Sequence, residues 1–295
     1  MSVTVETGDT VAAALSGTRR MLQAAGIDSA ALDARLLVAA ALGITVETVI
    51  AWPERSLTPD AGVRLAALMR RRVAREPMAY ILGRREFWSL DLVVTPATLT
   101  PRPDSETLVA AALDELPDRH APLSILDFGT GTGCLLLALL SELPAATGTG
   151  VDIDRAALDV ARQNAFRLGL TGRTGFMQGE WGLSLSESFD VIVSNPPYIA
   201  TGDLAAPAPE LRFEPRLALD GGADGLSAYR ALIPDAARLL RPDGLLVLEI
   251  GAGQAVPVQA LLAASGLTPL RVSRDLAGVE RCVLARARAY PQEVT

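Results

Sequence analysis

The 295-residue chain contains no lysine, so arginine supplies all 27 of its basic residues. This absence excludes a Schiff-base lysine, a phosphate-loop lysine and a lysine general base. The single histidine, His120, excludes a histidine-rich zinc site and argues against a Ser-His-Asp triad. The two cysteines, Cys134 and Cys282, are far apart and form neither a CxxC pair nor a disulfide framework. We therefore expect no metal.

Long apolar runs and a basic excess are also missing. No apolar run approaches the roughly 20 residues that a membrane helix needs. Glu6 and Asp9 precede any apolar stretch, which is unlike a signal peptide. The net charge of −7 argues against a general surface for nucleic acid or anionic membranes. These features predict a cytoplasmic protein with no membrane or direct nucleic-acid partner.

The first 75 residues show helical patterns only. The predicted helices run from Thr10 to Ala25, from an N-cap at Asp28-Ser29 to Gly43, and from Thr58-Pro59-Asp60 to Arg70-Arg71-Arg72. The arginine cluster is typical of a solvated helix end, which the helix dipole favours. A contact with a nucleic-acid-rich partner is the alternative.

The pattern then changes twice. Aromatic and β-branched residues from Ala79 to Thr100 favour a β-hairpin or an extended linker, and Asp104-Ser105-Glu106 begins another helix. Beyond it, strands alternate with helices, which predicts a parallel α/β sheet. The strands are predicted at Leu123–Phe128, Thr147–Val151, Gly175–Gln178, Val191–Ser194, Leu245–Ile250, Thr268–Val272 and Arg281–Ala285. The short link before the last strand makes that strand antiparallel.

A glycine-rich loop follows the first of these strands. Gly129, Thr130, Gly131, Thr132 and Gly133 form a GxGxG pattern that opens a helix. The glycines allow a tight turn and a close approach of ligand to backbone, and the helix supplies N–H groups. A dinucleotide fingerprint, GxGxxG, would place its third glycine where Cys134 stands. The pattern therefore favours S-adenosylmethionine, with a merely structural turn as the alternative.

Acidic residues follow the next two strands. Asp152 stands at a strand tip, where a carboxylate can accept hydrogen bonds from both ribose hydroxyls. Asp154 is predicted to cap the following helix. Glu180 and Trp181 suit an adenine, through hydrogen bonding and ring packing respectively. The alternative for these two is a surface acid beside a core tryptophan.

The strongest signal is Asn195-Pro196-Pro197-Tyr198, directly after a buried strand. The prolines fix φ and carry no N–H, so the segment is rigid and offers acceptors. The Asn195 side-chain oxygen and a backbone carbonyl can bind both hydrogens of a planar NH₂ group, while Tyr198 stacks on its face. Together with the glycine loop, these residues predict methyl transfer to an sp² nitrogen by positioning and polarisation.

These motifs resemble the class I S-adenosylmethionine-dependent amino-methyltransferases, and within them the HemK-type release factor glutamine methyltransferases. The resemblance covers nearly the whole chain. Its further elements are Tyr80-Ile81-Leu82-Gly83, Thr100-Pro101-Arg102-Pro103-Asp104-Ser105-Glu106, Phe213-Glu214-Pro215, Gly221-Gly222, Leu248-Glu249-Ile250-Gly251 and Asp275-Leu276-Ala277-Gly278. Two mild departures are Glu180, where the family often has Asp, and Thr100, where Ile is common.

The resemblance implies a helical N-terminal substrate-recognition domain (residues 1–77), a β-hairpin linker (78–100) and a seven-stranded methyltransferase domain (101–295). It implies N5 methylation of the glutamine in the Gly-Gly-Gln motif of class I peptide release factors. We expect the protein to be a monomer. The residues from Gly129 to Gly133, with Asp152, Glu180, Trp181 and Asn195, would bind the cofactor. The segment formed by Asn195, Pro196, Pro197 and Tyr198 would hold the substrate glutamine. Within it, Asn195, Pro196 and Tyr198 would be catalytic.

Two other substrates stay open. A paralogous glutamine methyltransferase acting on a ribosomal protein shares the fold and the Asn-Pro-Pro-Tyr segment. Adenine N6 or guanine N2 in nucleic acid fits the same acceptors, although the acidic charge argues against it. Arg102 and Glu106 lie in the signature element, and we assign neither a catalytic role. A cofactor-binding module without activity is the remaining alternative.

Overall fold

The computed structural model describes residues 10–205 and 208–289, so Glu6 and Asp9 lie outside the described residues. The chain divides into two compact units between Gly83 and Arg84. The three-part division predicted from the sequence, with boundaries after residues 77 and 100, stays a prediction. No helix in the described ranges is both long and apolar enough to cross a membrane.

Between residues 10 and 83 the structure is entirely helical in its regular elements. Its helices are α1 (Val11–Ala24), α2 (Ala30–Leu42), α3 (Val46–Ala51), α4 (Pro59–Val73) and α5 (Met78–Leu82). The predicted start of α4 is confirmed, because Thr58 accepts the amide of Ala61. The predicted start of α2 is confirmed, because Ser29 is its N-cap residue, but the Ser29 hydroxyl donates to Asp33 instead of accepting a helix amide. The short helices α3 and α5 were not predicted.

The arginine cluster at the end of α4 is only partly solvated. Arg72 is 6% exposed and donates to Asp33 Oδ2 at 2.7 Å. Arg71 pairs with Glu76 at 2.6 Å. Arg70 and Arg71 are exposed and fit the picture of a solvated helix end, whereas Arg72 is buried against Asp33 and does not.

The stretch from Ala79 to Thr100 combines two structures. A hairpin of β1 (Arg84–Phe87) and β2 (Leu90–Val93) is present, as the aromatic and β-branched residues predict. The expectation of extended chain is wrong at its start, where Met78–Leu82 form α5 and Ile81 joins the core of the N-terminal helices. Gly83, with φ +71°, ends this helix before the hairpin begins.

The second unit contains a seven-stranded sheet. Its strands are β3 (Ser124–Phe128), β4 (Thr147–Asp152), β5 (Thr174–Gln178), β6 (Phe189–Ser194), β7 (Leu240–Glu249), β8 (Thr268–Arg274) and β9 (Glu280–Arg286). The order across the sheet is β5-β4-β3-β6-β7-β9-β8. The strand β9 runs antiparallel to both of its neighbours, which confirms the prediction for the last strand.

Helices cover both faces of this sheet. They are α6 (Glu106–Asp114), α7 (Cys134–Glu142), α8 (Arg155–Arg167), α9 (Ser227–Leu239) and α10 (Ala255–Ala264). Side chains alternate between two cores, with Ile125 facing α6 and α7 and with Leu126 and Phe128 facing α9 and α10. The chain adds β4 and β5 on one side of β3 and then returns to place β6 on the other side. This reversal opens a crevice at the carboxyl ends of β3, β4 and β6, the usual ligand position in such sheets.

Candidate active site

The glycine-rich loop connects β3 to α7 at this crevice. Gly129, Gly131 and Gly133 have φ of +68°, +55° and +80°, which other residues adopt only with strain. The Thr130 hydroxyl donates to Asp127 Oδ2 at 2.7 Å, which ties the loop to the buried end of β3. Burial raises the pKa of Asp127 to about 7. The hydrogen bond of Thr130 therefore fixes the loop to the end of β3, and the backbone at Gly129 and Gly131 faces the crevice.

Asp152 ends β4 beside the loop. Its Oδ2 accepts the amide of Gly131 at 2.9 Å, and its Oδ1 accepts the amide of Asp154 at 2.9 Å. Burial raises the pKa of Asp152, while these two amides act against the rise. Asp154 accepts the amide of Ala156 and caps α8, as predicted. Asp152 thus couples the glycine loop to β4 and faces the crevice with its remaining lone pairs.

Glu180 and Trp181 stand in the turn after β5. Trp181 has φ +48°, and its ring packs edge-on against Phe128 with a centroid distance of 6.2 Å. A Cβ added at Gly129 would lie 3.9 Å from the same indole. The indole therefore forms one wall of the crevice next to the glycine loop.

The Asn-Pro-Pro-Tyr segment leaves the end of β6. The Asn195 Nδ2 group donates to the Ser105 hydroxyl oxygen at 3.1 Å, and the Tyr198 hydroxyl donates to Glu249 Oε1 at 3.3 Å. Gln254 Nε2 donates to the Tyr198 carbonyl at 3.0 Å. Both ends of the segment are therefore held by side chains from other elements.

The loop between Ile199 and Gly225 folds back along this segment. Ile199 exchanges backbone hydrogen bonds with Leu219 and Gly221, at 3.0 and 2.8 Å. Gly225 has φ +74°, and a Cβ on it would lie 2.5 Å from the Tyr198 carbonyl oxygen. The described part of the loop is thus ordered, with short 3₁₀ turns, and glycine is required where it meets the segment.

A pair that we call the loop latch fastens the same loop. Arg102 Nη2 lies 2.6 Å from Glu214 Oε1, and the Glu214 side chain is completely buried. Burial raises the pKa of Glu214, and the charge of Arg102 opposes this rise. Arg102, from the signature element before α6, therefore positions the loop. Glu106 has a different role, because it accepts the backbone amide of Trp88 in the hairpin turn at 2.9 Å.

These elements enclose a cavity of about 340 Å³. It is within the volume range of small-molecule sites. The predicted residues in its lining are Gly129, Gly131, Asp152, Glu180, Trp181, Pro196 and Pro197. The loop contributes Pro215, Leu217, Ala218 and Asp220. Thr130, Thr132, Gly133, Asn195 and Tyr198 do not line this cavity and lie around it.

Several residues of the site carried no sequence signal for their role. Asn164 on α8 is fully buried; its Oδ1 accepts the Val93 amide, and its Nδ2 donates to the carbonyls of Val93 and Thr132. It thereby joins the hairpin to the glycine loop. Ser105 and Glu249 hold the Asn-Pro-Pro-Tyr segment. All three make contacts across long sequence separations, which local patterns do not show.

The comparisons with known proteins agree with this architecture. Residues 13–83 match the family described as the PrmC N-terminal domain, and residues 119–264 match a methyltransferase domain. The release factor glutamine methyltransferase of Rhodospirillum rubrum is 48% identical over 269 residues, which cover 91% of this chain and 82% of the relative. That of Caulobacter vibrioides is 44% identical, with 93% and 96% covered. The chain belongs to the release factor glutamine methyltransferase family.

Solved structures support the fold of this family member. A methyltransferase from Pyrococcus furiosus has a TM-score of 0.51 at 16% identity, covering 68% of this chain and 89% of that one. The hMettl16 catalytic domain has a TM-score of 0.57 at 16% identity, covering 77% and 84%. At these identities the likeness concerns the fold alone, which confirms the predicted class I methyltransferase sheet.

The residues of the cavity fit S-adenosylmethionine, the cofactor that this family implies. The glycine loop leaves room beside its backbone, Asp152 supplies a carboxylate at the strand tip, and Trp181 supplies an aromatic wall. In the described part of the chain, no three His, Cys, Asp or Glu side chains are grouped to hold a metal ion.

Proposed function

We propose that this protein transfers a methyl group from S-adenosyl-L-methionine to the N5 amide nitrogen of the glutamine in the Gly-Gly-Gln motif of class I peptide release factors. The observation that carries this proposal is the identity of 44–48% to release factor glutamine methyltransferases over more than 90% of the chain. The rigid Asn-Pro-Pro-Tyr segment beside the cavity supports it. The proposal includes a cytoplasmic monomer without a nucleic-acid partner.

The cofactor supplies a methyl group activated by its sulfonium. Gly129, Gly131, Asp152, Glu180 and Trp181 would hold it, with the carboxylate of Asp152 accepting from the ribose hydroxyls. The protein's own contribution is to fix the amide nitrogen in line with the methyl group and to exclude water.

The substrate amide would be bound by acceptors of the Asn-Pro-Pro-Tyr segment. Asn195 Nδ2 is engaged by Ser105, which leaves Asn195 Oδ1 for one N–H of the glutamine. A backbone carbonyl of the rigid turn takes the other N–H. Both acceptors stabilise the positive charge that builds on nitrogen during transfer, and the proton leaves afterwards.

Tandem mass spectrometry of a class I release factor incubated with this protein and S-adenosylmethionine tests the proposal. We expect one added methyl on the glutamine of the Gly-Gly-Gln peptide, and none with the Asn195→Ala variant, whose fold circular dichroism verifies. Wild-type protein that binds the cofactor but leaves this glutamine unmodified would refute the assignment. Ribosomal proteins and then nucleic acid would be the next substrates to assay.

The cofactor site has its own test. The Asp152→Ala variant should bind S-adenosylmethionine more weakly in titration calorimetry, because it loses the proposed ribose acceptor. Asp159→Ala, which removes an exposed carboxylate of α8, is the matched control and should keep the wild-type dissociation constant. Equal dissociation constants for all three proteins would contradict the placement.

A further inference from the structure

The side-chain amide of Gln254 lies where three backbone segments meet. Gln254 directly precedes α10, and its Nε2 donates to the Tyr198 carbonyl at 3.0 Å and to the Gly225 carbonyl at 3.2 Å. Its Oε1 accepts the backbone amide of Gly251 at 2.9 Å. One amide group therefore joins the end of the Asn-Pro-Pro-Tyr segment to the end of the loop that follows it and to the turn after β7.

The partners of this amide fix its orientation. The backbone N–H of Gly251 must meet an oxygen, so the NH₂ group of Gln254 faces the two carbonyls. Each of the two amide hydrogens then has one carbonyl acceptor. A reversed amide would place two donors against each other at Gly251 and an oxygen against two carbonyls. A side chain of the same shape without an NH₂ group therefore cannot replace glutamine here.

Glycines surround this junction so closely that a larger residue would collide with it. A Cβ added at Gly225 would lie 2.5 Å from the Tyr198 carbonyl oxygen and 2.7 Å from Gln254 Nε2. One at Gly251 would lie 3.0 Å from Gln254 Oε1 and 3.1 Å from Tyr198 Cδ2. One at Gly221 would lie 2.8 Å from Tyr198 Cα. The amide is thus packed directly against backbone instead of reaching across solvent.

We propose that Gln254 is a positioning residue for methyl transfer, whose two amide hydrogens fix the end of the Asn-Pro-Pro-Tyr segment and thereby the placement of Asn195 at its other end. The rings of Pro196 and Pro197 fix φ, which leaves little freedom between the two ends. This inference rests on the proposed function for the reaction, but not for the side-chain geometry. Gln254 does not line the cavity, so we assign it no contact with cofactor or substrate.

Two variants separate the amide hydrogens from the rest of the side chain. Gln254→Glu keeps the shape and an oxygen for the Gly251 amide, but an ionised carboxylate cannot donate to the two carbonyls. Gln254→Met has a similar length, carries no charge and removes all of these hydrogen bonds. It also covers a folding failure of Gln254→Glu. Gln163→Glu, the same chemical change at an exposed position of α8, is the control. Circular dichroism verifies the fold of each variant.

Asn195 reports the placement of the segment without a substrate. The chain has only two asparagines, Asn164 and Asn195, so selective ¹⁵N-asparagine labelling gives two side-chain NH₂ pairs in the NMR spectrum. The Asn195 pair is assigned by its loss in Asn195→Gln, and it donates to Ser105 rather than to Gln254. In both Gln254 variants we expect this pair to shift or broaden, while the pair of the buried Asn164 stays in place.

An Asn195 pair that is unchanged in the folded Gln254 variants overturns the proposal, because a merely local role of Gln254 leaves the far end of the segment undisturbed. A change in the uncharged Gln254→Met variant excludes a direct effect of the new charge in Gln254→Glu. The Gln163→Glu control should give the wild-type spectrum at Asn195.

Kinetics on the release factor measure the consequence for catalysis. Both Gln254 variants should lower kcat by the order of a hundredfold, as misplacement of a reacting group does, with the Kd for S-adenosylmethionine within about twofold of wild type. Gln163→Glu should match wild type in both quantities. A raised Kd with unchanged kcat would overturn the positioning role. An inactive wild type would refute the proposed substrate alone, and the Asn195 spectrum would then decide the role of Gln254 by itself.

Discussion

Replacement of Asn164 is expected to weaken both the fold and the glycine loop. Its side chain makes three hydrogen bonds, of 2.7, 2.9 and 3.1 Å, to backbone groups of Val93 and Thr132. In Asn164→Ala, the carbonyl of the buried Thr132 loses a partner, which costs about 1–3 kcal/mol. The two groups of Val93 are half-buried and can recruit water, so they add roughly 0.5–1 kcal/mol each. The total loss is about 2–5 kcal/mol.

Differential scanning calorimetry measures this loss as a lower Tm. For a unit of this size, about 1 kcal/mol corresponds to roughly 2–4 °C, so we expect a fall of roughly 4–20 °C. Gln163→Ala, an exposed change on the same helix, is the control and should alter the free energy of unfolding by less than about 0.5 kcal/mol. A Tm of Asn164→Ala within 2 °C of the control, on the order of experimental scatter, would refute the reasoning.

Three further predictions concern the site. Arg102→Ala breaks the loop latch and leaves the buried Glu214 carboxylate without its partner, which should lower the free energy of unfolding by roughly 1–3 kcal/mol. Amide exchange in residues 208–220 should become faster, and cofactor binding should become weaker. Arg230→Ala, which breaks an exposed ion pair, is the control that should change neither. Gly225→Ala should lower Tm and kcat together, because the new Cβ would meet the Tyr198 carbonyl oxygen. The left-handed φ of this position should by itself cost an alanine about 1–2 kcal/mol of stability. Normal values of both Tm and kcat would contradict the requirement for glycine. Asp127 has its pKa raised by burial from 3.8 to about 7, so its stabilising contribution is full below pH 3.8 and is lost as the pH rises through about 7. Asp127→Asn should therefore flatten the pH dependence of the urea midpoint in this range, and an unchanged dependence would count against the shifted pKa.

The parts of the site that could be predicted from the sequence share one property. The glycine loop, Asp152 and the Asn-Pro-Pro-Tyr segment each follow a strand directly, so a short pattern places them at the carboxyl edge. Asp154 likewise caps the helix that begins next to it. In these cases the residues that determine the local structure are neighbours in the chain.

The failures of prediction arise where local sequence is compatible with several structures. The helices α3 and α5 have six and five residues, too few for a helical period to emerge. Ser29 has a residue type and position suited to capping. Its hydroxyl instead joins Asp33, because the buried carboxylate must be satisfied by Ser29 and Arg72 together. The competing partner, Arg72, is 39 residues from Asp33 and is invisible to a local pattern.

Ser105 shows why the side-chain contacts of the Asn-Pro-Pro-Tyr segment are beyond the same reasoning. The sequence predicts a helix start around Ser105, and the structure confirms that α6 begins there. The same hydroxyl also meets Asn195, 90 residues away, because the helix begins beneath the end of β6. The Ser105 side chain accepts no amide of α6, and its bond to Asn195 joins residues too far apart for a local pattern to predict. The contact of Tyr198 with Glu249 likewise becomes apparent only when the strands β6 and β7 are placed side by side.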